Sequence, residues 1–276
     1  MAKELAQALR CFRGARRHPR AALAFLGLKG TIMVLGTQRQ AEAAGDDQAV
    51  PARMRLFSGP LSMFGAKAQI AALEKGLDFE LIMVPFGAEH GYEPKHPDVL
   101  RINPKRQVPV LIHRDLEIFD STQIFEYLED LRPRPALWPA DTVARARARL
   151  LEHKSDEVYF PHIIRLMGLQ DRLDDLAATA ARDAATRYYG EMEALLADRQ
   201  YLAGPFSFAD IAFYMAQLFG ERMTAPMGDA TPRLLEWRDR MTSRPAVRQV
   251  VGPMAAYLRS EGRPVPRSLS SAALPG

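Results

Sequence analysis

Between residues 132 and 141, three prolines (Pro133, Pro135 and Pro139) separate two patterns of apolar spacing that one layer of structure cannot share. Upstream, strand-like runs mix with one-sided helical stripes. Residues 55–59 form a short strand candidate stopped by Gly59-Pro60. Residues 66–75 carry an apolar stripe with Ser62 placed to cap its start and Gly76 to end it. Residues 79–84 read as a second strand, 87–97 as a polar loop, and 108–113 and 117–119 as a hairpin around Arg114-Asp115. A helix over 121–131 closes this part. Downstream no strand-like run returns. Residues 144–167, 174–197, 208–219, 232–242 and 245–258 all repeat their apolar residues at a period of about 3.6. The expected fold is a mixed α/β layer followed by an all-helical region.

Composition narrows the class. The chain has 276 residues, 47% hydrophobic and 25% charged, which excludes collagen-like, disordered and disulfide-scaffold proteins. The lone Cys11 excludes an internal disulfide, a C-x-x-C redox pair and a cysteine-built zinc site. The net charge of +4 sits in residues 1–53, whose nine basic residues outnumber four acids; 28 basic and 29 acidic residues remain from Met54 onward. A neutral body argues against nucleic acid as partner. The order from Met54, strand-helix-strand-loop-strand-strand-helix, is thioredoxin-like. Expected bounds are a leader over 1–53, disordered or targeting, a thioredoxin-like domain over 54–132, a helical domain over 142–260 and a flexible tail over 261–276. The leader is basic, then apolar over 21–36, then small at Ala41, Ala43 and Ala44, the order of a targeting segment. Its apolar run is interrupted by Lys29 and is shorter than the roughly 20 residues that span a bilayer, so no integral membrane span is expected.

Four motifs carry chemistry. In the segment 101–111, Pro109 stands directly before an apolar strand, where its missing N–H costs no ladder bond. A cis Val108-Pro109 turn would leave the Val108 backbone free to pair with an extended peptide; a plain loop-to-strand junction is the simpler reading of that motif alone. Asp120-Ser121 opens a helix whose free N–H groups suit a carboxylate, or serve as an ordinary cap. Ser62, at the first helix's start, can donate to a thiolate held in that positive potential, or only cap. Ser207 and Asp210 form a capping box, which is structural.

In order and spacing, these segments resemble the glutathione transferase family over residues 54 to about 260. The resemblance rests on residues 62–76, on Asn-Pro-Lys-Arg-Gln-Val-Pro-Val-Leu at 103–111, on Phe-Asp-Ser at 119–121 and on the capping box at 207–210. It implies a thioredoxin-like N-terminal domain, an all-helical C-terminal domain and a homodimer. The family's activating residue after the first strand is Tyr, Ser or Cys. No Tyr or Cys occurs between Met54 and Glu80, so the chain is similar to the serine-type, phi- and theta-like branch, with Ser62 as its catalytic residue. By the same resemblance Lys95 and Gln107 hold the glycine end of glutathione, Val108 pairs with the cysteinyl backbone, Pro109 is the cis proline, and Asp120 with Ser121 holds the γ-glutamyl end. The chain departs from the family pattern at Arg106, often Gly, at Asp120, often Glu, and at Pro94, where phi-like chains often have His.

A small hydrophobic electrophile as second substrate is expected against Leu61, Met63, Tyr159, Phe160, His162, Ile163, Leu166 and Met167, residue types that equally make plain core. The implied activity is conjugation of glutathione, as co-substrate, in a detoxifying cytoplasmic enzyme; the leader leaves export or organelle targeting open. Glutathione-dependent peroxide reduction, dehalogenation or ether cleavage is an alternative, as is a non-catalytic glutathione-binding or assembly module. The six histidines show no metal-like pairing, and neither G-x-x-x-x-G-K-[ST] nor G-x-G-x-x-G occurs, so no metal and no nucleotide cofactor is expected.

Overall fold

Four short strands make one mixed sheet in the order β2-β1-β3-β4. The computed structural model describes residues 53–87 and 91–270, so the leader reading falls outside the described residues apart from Arg53. Strand β1 (Met54–Ser58) pairs parallel with β2 (Phe79–Met83) and antiparallel with β3 (Val110–His113); β3 continues antiparallel to β4 (Leu116–Phe119). Strand side chains alternate faces, and here both faces are covered. Leu56 and Leu111 point to α1 (Met63–Glu74) and α3 (Ser121–Leu131), meeting Ala68, Ala72, Ile124 and Leu128. Phe57, Val110 and Ile112 point the other way, to Val99 on the short α2 (Pro97–Ile102). That double burial explains why β1 and β3 read as nearly continuous apolar runs.

The all-helical part follows as α4 (Thr142–Lys154), a π-helical turn at Ser155–Tyr159, α5 (Phe160–Met167), α6 (Leu176–Leu195), α7 (Phe208–Arg222), α8 (Pro232–Thr242), α9 (Pro245–Ser260) and α10 (Arg267–Ser270). This is the thioredoxin-like layer followed by helices that the segment order implies. Helix α7 is the axis, buried at every position from Phe208 to Gly220. Its Phe213 ring packs on Tyr159, Tyr188 and Trp237. The capping box holds α7's start: Asp210 accepts from the Ser207 and Leu202 N–H groups, both at 2.9 Å, and from Trp237 Nε1 at 3.0 Å. Burial pushes the Asp210 carboxyl up to about 6, against those donors.

Helix α1 lies between the sheet and the helices and is buried from Gly65 to Ala72. Small residues allow that approach. A Cβ on Gly65 would overlap Ser58 Oγ and come within 2.9 Å of Ser62 Oγ. Three ion pairs tie α1 to the helical part: Lys67 to Glu152 and to Asp156, and Glu74 to Arg244 through two 2.7 Å contacts.

Three elements differ from the sequence reading. Residues 144–167 are not one helix, because the π turn inserts a wider loop of backbone between α4 and α5. Helix α2 arises where no element was expected, with Pro97 in its first turn and His96 Nδ1 accepting from the Asp98 N–H at 3.2 Å. Part of the expected flexible tail is held. Leu269 is buried, and Glu221 accepts from the Arg267 N–H at 2.7 Å.

Candidate functional site

A cavity of about 320 Å³ opens between the segment before β3, the start of α3 and the π turn after α4. Proline sets one wall. The Val108-Pro109 peptide is cis, and β3 begins only at Val110, which pairs with Phe57 and Phe119. Val108 is thus outside the ladder, and among the described residues its backbone N–H and C=O make no backbone hydrogen bond. Asn103 braces the preceding turn, donating to the Gln107 carbonyl at 2.6 Å and accepting from the Lys105 N–H at 2.9 Å. Arg106, where the family often has Gly, takes a left-handed φ of 57°.

The opposite wall is the N-terminus of α3. Asp120, at φ 77°, caps it by accepting from the Thr122 and Gln123 N–H groups at 3.0 and 3.3 Å. Ser121, the first helical residue, is buried against the cavity. Gln107, Val108, Pro109, Asp120 and Ser121 therefore meet around one space, although 11 positions separate Pro109 from Asp120 in sequence.

The third wall is acidic. Glu152, Asp156 and Glu157 reach the cavity from α4 and the π turn. Lys67 Nζ, fully buried, contacts Glu152 Oε1 at 2.9 Å and Asp156 Oδ2 at 2.5 Å, and Thr122 Oγ1 donates to Glu152 at 2.6 Å. Burial pushes the Asp156 carboxyl up to about 6 despite Lys67, and its second oxygen, Oδ1, is buried without a partner. Burial works against the Lys67 charge, yet Asp156 and Glu152 hold its pKa above the ordinary lysine range. Sequence reasoning missed this cluster. Its one signal was a lysine inside the apolar stripe of α1.

The remaining predicted residues lie apart from the cavity walls. Ser62 is 7% exposed, and its Oγ accepts from the Gly65 N–H at 2.9 Å as the cap of α1. The wall nearest to it in sequence is Phe64. The Ser62 hydroxyl neighbours that of Tyr92, whose ring lies so close to Gly59 that a Cβ there would overlap it. Lys95 is turned to the Tyr92 carbonyl and to Glu93, both at 3.5 Å.

Of the expected second-substrate lining, Tyr159, Ile163 and Leu166 are fully buried, and Phe160 and Met63 nearly so, all within the helical core. The reason is a long-range contact. Tyr159 shares a 2.5 Å hydrogen bond with Tyr189, which donates to the Ala225 carbonyl at 2.6 Å, so the first long helical face turns inward. Leu61 is also buried, while His162 and Met167 are half-buried. Met63, Tyr159, Phe160, Ile163 and Leu166 thus take the plain-core role that their residue types equally allow. Among the described residues no group of His, Cys, Asp and Glu is arranged to hold a metal ion, and no helix is long and apolar enough to cross a membrane.

The geometry stands beside clear likenesses. The chain matches the family model for the glutathione S-transferase N-terminal domain over residues 52–130 and the model for the C-terminal domain over 158–245. A stringent starvation protein A homolog of Coxiella burnetii is 29% identical over 150 residues, covering 54% of this chain and 66% of that one. A probable glutathione S-transferase, parC, of Nicotiana tabacum is 29% identical over 197 residues, covering 67% and 83%. Among solved structures, a glutathione S-transferase from Rhodospirillum rubrum superposes with a TM-score of 0.66 at 26% identity, over 79% of this chain and 98% of its own. A Pseudomonas fluorescens glutathione transferase family member, solved with two glutathione bound, shares the fold at a TM-score of 0.63 and 22% identity, over 73% and 93%. With its two domain models matched in chain order, one on the sheet layer and one on the helices, this chain belongs to the glutathione S-transferase family.

Proposed function

We propose that the chain is a glutathione transferase that joins the glutathione thiolate to a small, mainly apolar electrophile. The observation that carries this reading is the shared cavity: an unpaired Val108 backbone next to the Asp120-Ser121 helix start. An extended tripeptide suits both. Its cysteinyl backbone pairs with Val108 as an added strand would. Its γ-glutamyl carboxylate takes the α3 N-terminus and the Ser121 hydroxyl. Gln107, and Lys95 after a side-chain rotation, serve the glycine carboxylate.

The sulfur is assigned to the α1 N-terminus. As a cap, Ser62 Oγ accepts from Gly65, which leaves its own proton free to donate. Lowering a thiol pKa from about 8.5 to about 6.5 takes roughly 2.7 kcal/mol. A charge-assisted hydrogen bond of roughly 1.5–3 kcal/mol with a helix-end contribution of up to about 1 kcal/mol covers that. The thiolate then forms a C–S bond. The electron pair leaves with the leaving group, or moves along a double bond to an atom that takes a proton from water. Ser62 stabilises charge where it sits in the reactant and holds the sulfur in line.

On the same reading, residues 54–132 form the glutathione domain and 142–260 the helical domain of a cytoplasmic homodimer. A panel of electrophiles and hydroperoxides, assayed with glutathione on the full chain, separates conjugation from the peroxidase, dehalogenase and ether-cleaving alternatives. A non-catalytic binding module is the second reading. It is favoured by the position of Ser62 outside the cavity walls and by relatives named stringent starvation protein A homologs. Retention on immobilised glutathione without turnover of any tested electrophile would decide for it.

A further inference from the structure

The cavity between β3, α3 and the π turn is uneven in charge. Four carboxylates line it, Asp120 on the α3 side and Glu152, Asp156 and Glu157 on the α4 side, against Lys105 and His153 as the basic lining groups among the described residues. Residues 152, 153, 156 and 157 share one helical face, carried from α4 into the π turn. Behind that face the single ammonium of Lys67 answers two carboxylates, Glu152 and Asp156. The Asp156 side chain is 11% exposed, and its Oδ1 has no hydrogen-bond partner. Glu157 is exposed, lines the cavity, and makes no hydrogen bond or ion pair among the described residues.

Glutathione does not use up this wall. Laid along Val108 with its γ-glutamyl carboxylate at the start of α3, it carries its ammonium on the same carbon as that carboxylate. Asp120 serves that ammonium: its Oδ1 caps α3, which leaves Oδ2 to accept. A second substrate reaches the cysteinyl sulfur through the rest of the cavity, which is lined by Phe64 and by the acidic face of α4 and the π turn. Burial, and the charges of Glu152 and Asp120, push the Asp156 carboxyl up to about 6 against Lys67, which leaves it mostly ionised at pH 7. An anionic substrate would be repelled there, and a purely apolar one would strip water from carboxylates without replacing it. A cation answers the excess charge with a charge-assisted hydrogen bond.

We propose that the electrophile carries an ammonium group: an apolar body against Phe64 whose cationic end lies on the Glu157 carboxylate, with Asp156 and Glu152 adding negative charge behind it. This rests on the function proposed above and names its substrate class. Glu157 is the contact because it is the exposed carboxylate of that face, whereas Asp156 and Glu152 lie deeper and share Lys67.

Three thioethers of similar size test it, S-(2-aminoethyl)glutathione, S-propylglutathione and S-(2-carboxyethyl)glutathione, titrated into the full chain by calorimetry at pH 7. The proposal expects the aminoethyl compound to bind about tenfold tighter than the propyl one, and the carboxyethyl compound to bind weakest. Glu157→Gln should remove most of the ammonium preference, and Glu157→Lys should turn it toward the carboxylate. Equal binding of the aminoethyl and propyl compounds by the wild type, or an ammonium preference undiminished in Glu157→Gln, overturns the proposal and leaves the glutathione reading standing. A Glu157→Gln chain that loses the same affinity for all three gives this wall to glutathione's own ammonium, and overturns it too. Binding of none overturns both readings. Glu157 is exposed and its removal strands no partner, and the wild-type comparison needs no variant, so misfolding does not blunt the test.

Discussion

Two cations, Lys67 buried within α1 and Arg222 half-buried at the end of α7, differ in how they are partnered. Lys67, in the middle of the helix, is fully buried and contacts two carboxylates from α4 and the π turn. Arg222 is buried only at Nη1, which has no hydrogen-bond partner, and forms no ion pair with a carboxylate among the described residues. The first charge is consumed inside the molecule and joins α1 to the helical part. The second has no such partner and is answered in part by the Phe219 ring beneath it. Buried ion pairs add little net stability over apolar residues but are costly to break from one side, so the two sites should respond to mutation to very different degrees.

Lys67→Met is expected to break the contrast most violently. It strands Glu152 and Asp156 as buried like charges, and the loss should be about 3–5 kcal/mol, read from the urea midpoint. A loss below about 1 kcal/mol, the level of exposed pairs, would place Lys67 with ordinary surface lysines and end the comparison.

Asp156→Asn sharpens it through pH. The folded-state pKa of Asp156, about 6, is raised above its ordinary 3.8. The folded chain therefore binds this proton more tightly than the unfolded chain, and stability falls as pH rises from about 4 through about 6. The variant lacks that proton. The Tm of the wild type relative to the variant should drop by a few degrees across that window, and a difference independent of pH would mean that Asp156 ionises normally.

The smallest effect belongs to Arg222→Met. Removing an uncompensated cation relieves desolvation and gives up one cation–π contact, so stability should change by less than about 1 kcal/mol. A loss as large as that of Lys67→Met would reveal a hidden internal partner.

What could be read in the sequence follows the range of the forces involved. The β3-β4 hairpin was legible because Val-Pro-Val-Leu-Ile-His joins a positional signal at Pro109 to an apolar run. The caps at Ser62 and Ser207 were legible because capping is decided within four residues. The π turn was not, since one extra residue in a wider turn leaves the apolar spacing of 144–167 almost unchanged. Helix α2, six residues long, is too short for a periodic signal. The Lys67 cluster depends on partners 85 and 89 positions away, which no local pattern encodes. The lining candidates Tyr159 and Ile163, buried in the core, show that pockets and cores use the same side chains. Only the Tyr159–Tyr189 hydrogen bond, visible in three dimensions, decides between them.

The account stands on the chemistry assigned to Ser62, and the titration of bound glutathione reaches it most directly. The ultraviolet absorbance of the thiolate, followed against pH with the wild type and with Ser62→Ala, should show the bound thiol ionising about two units below the free thiol's value of about 8.5, and most of that shift lost in the variant. Bound glutathione that titrates as it does free in solution, in the wild type, would contradict it.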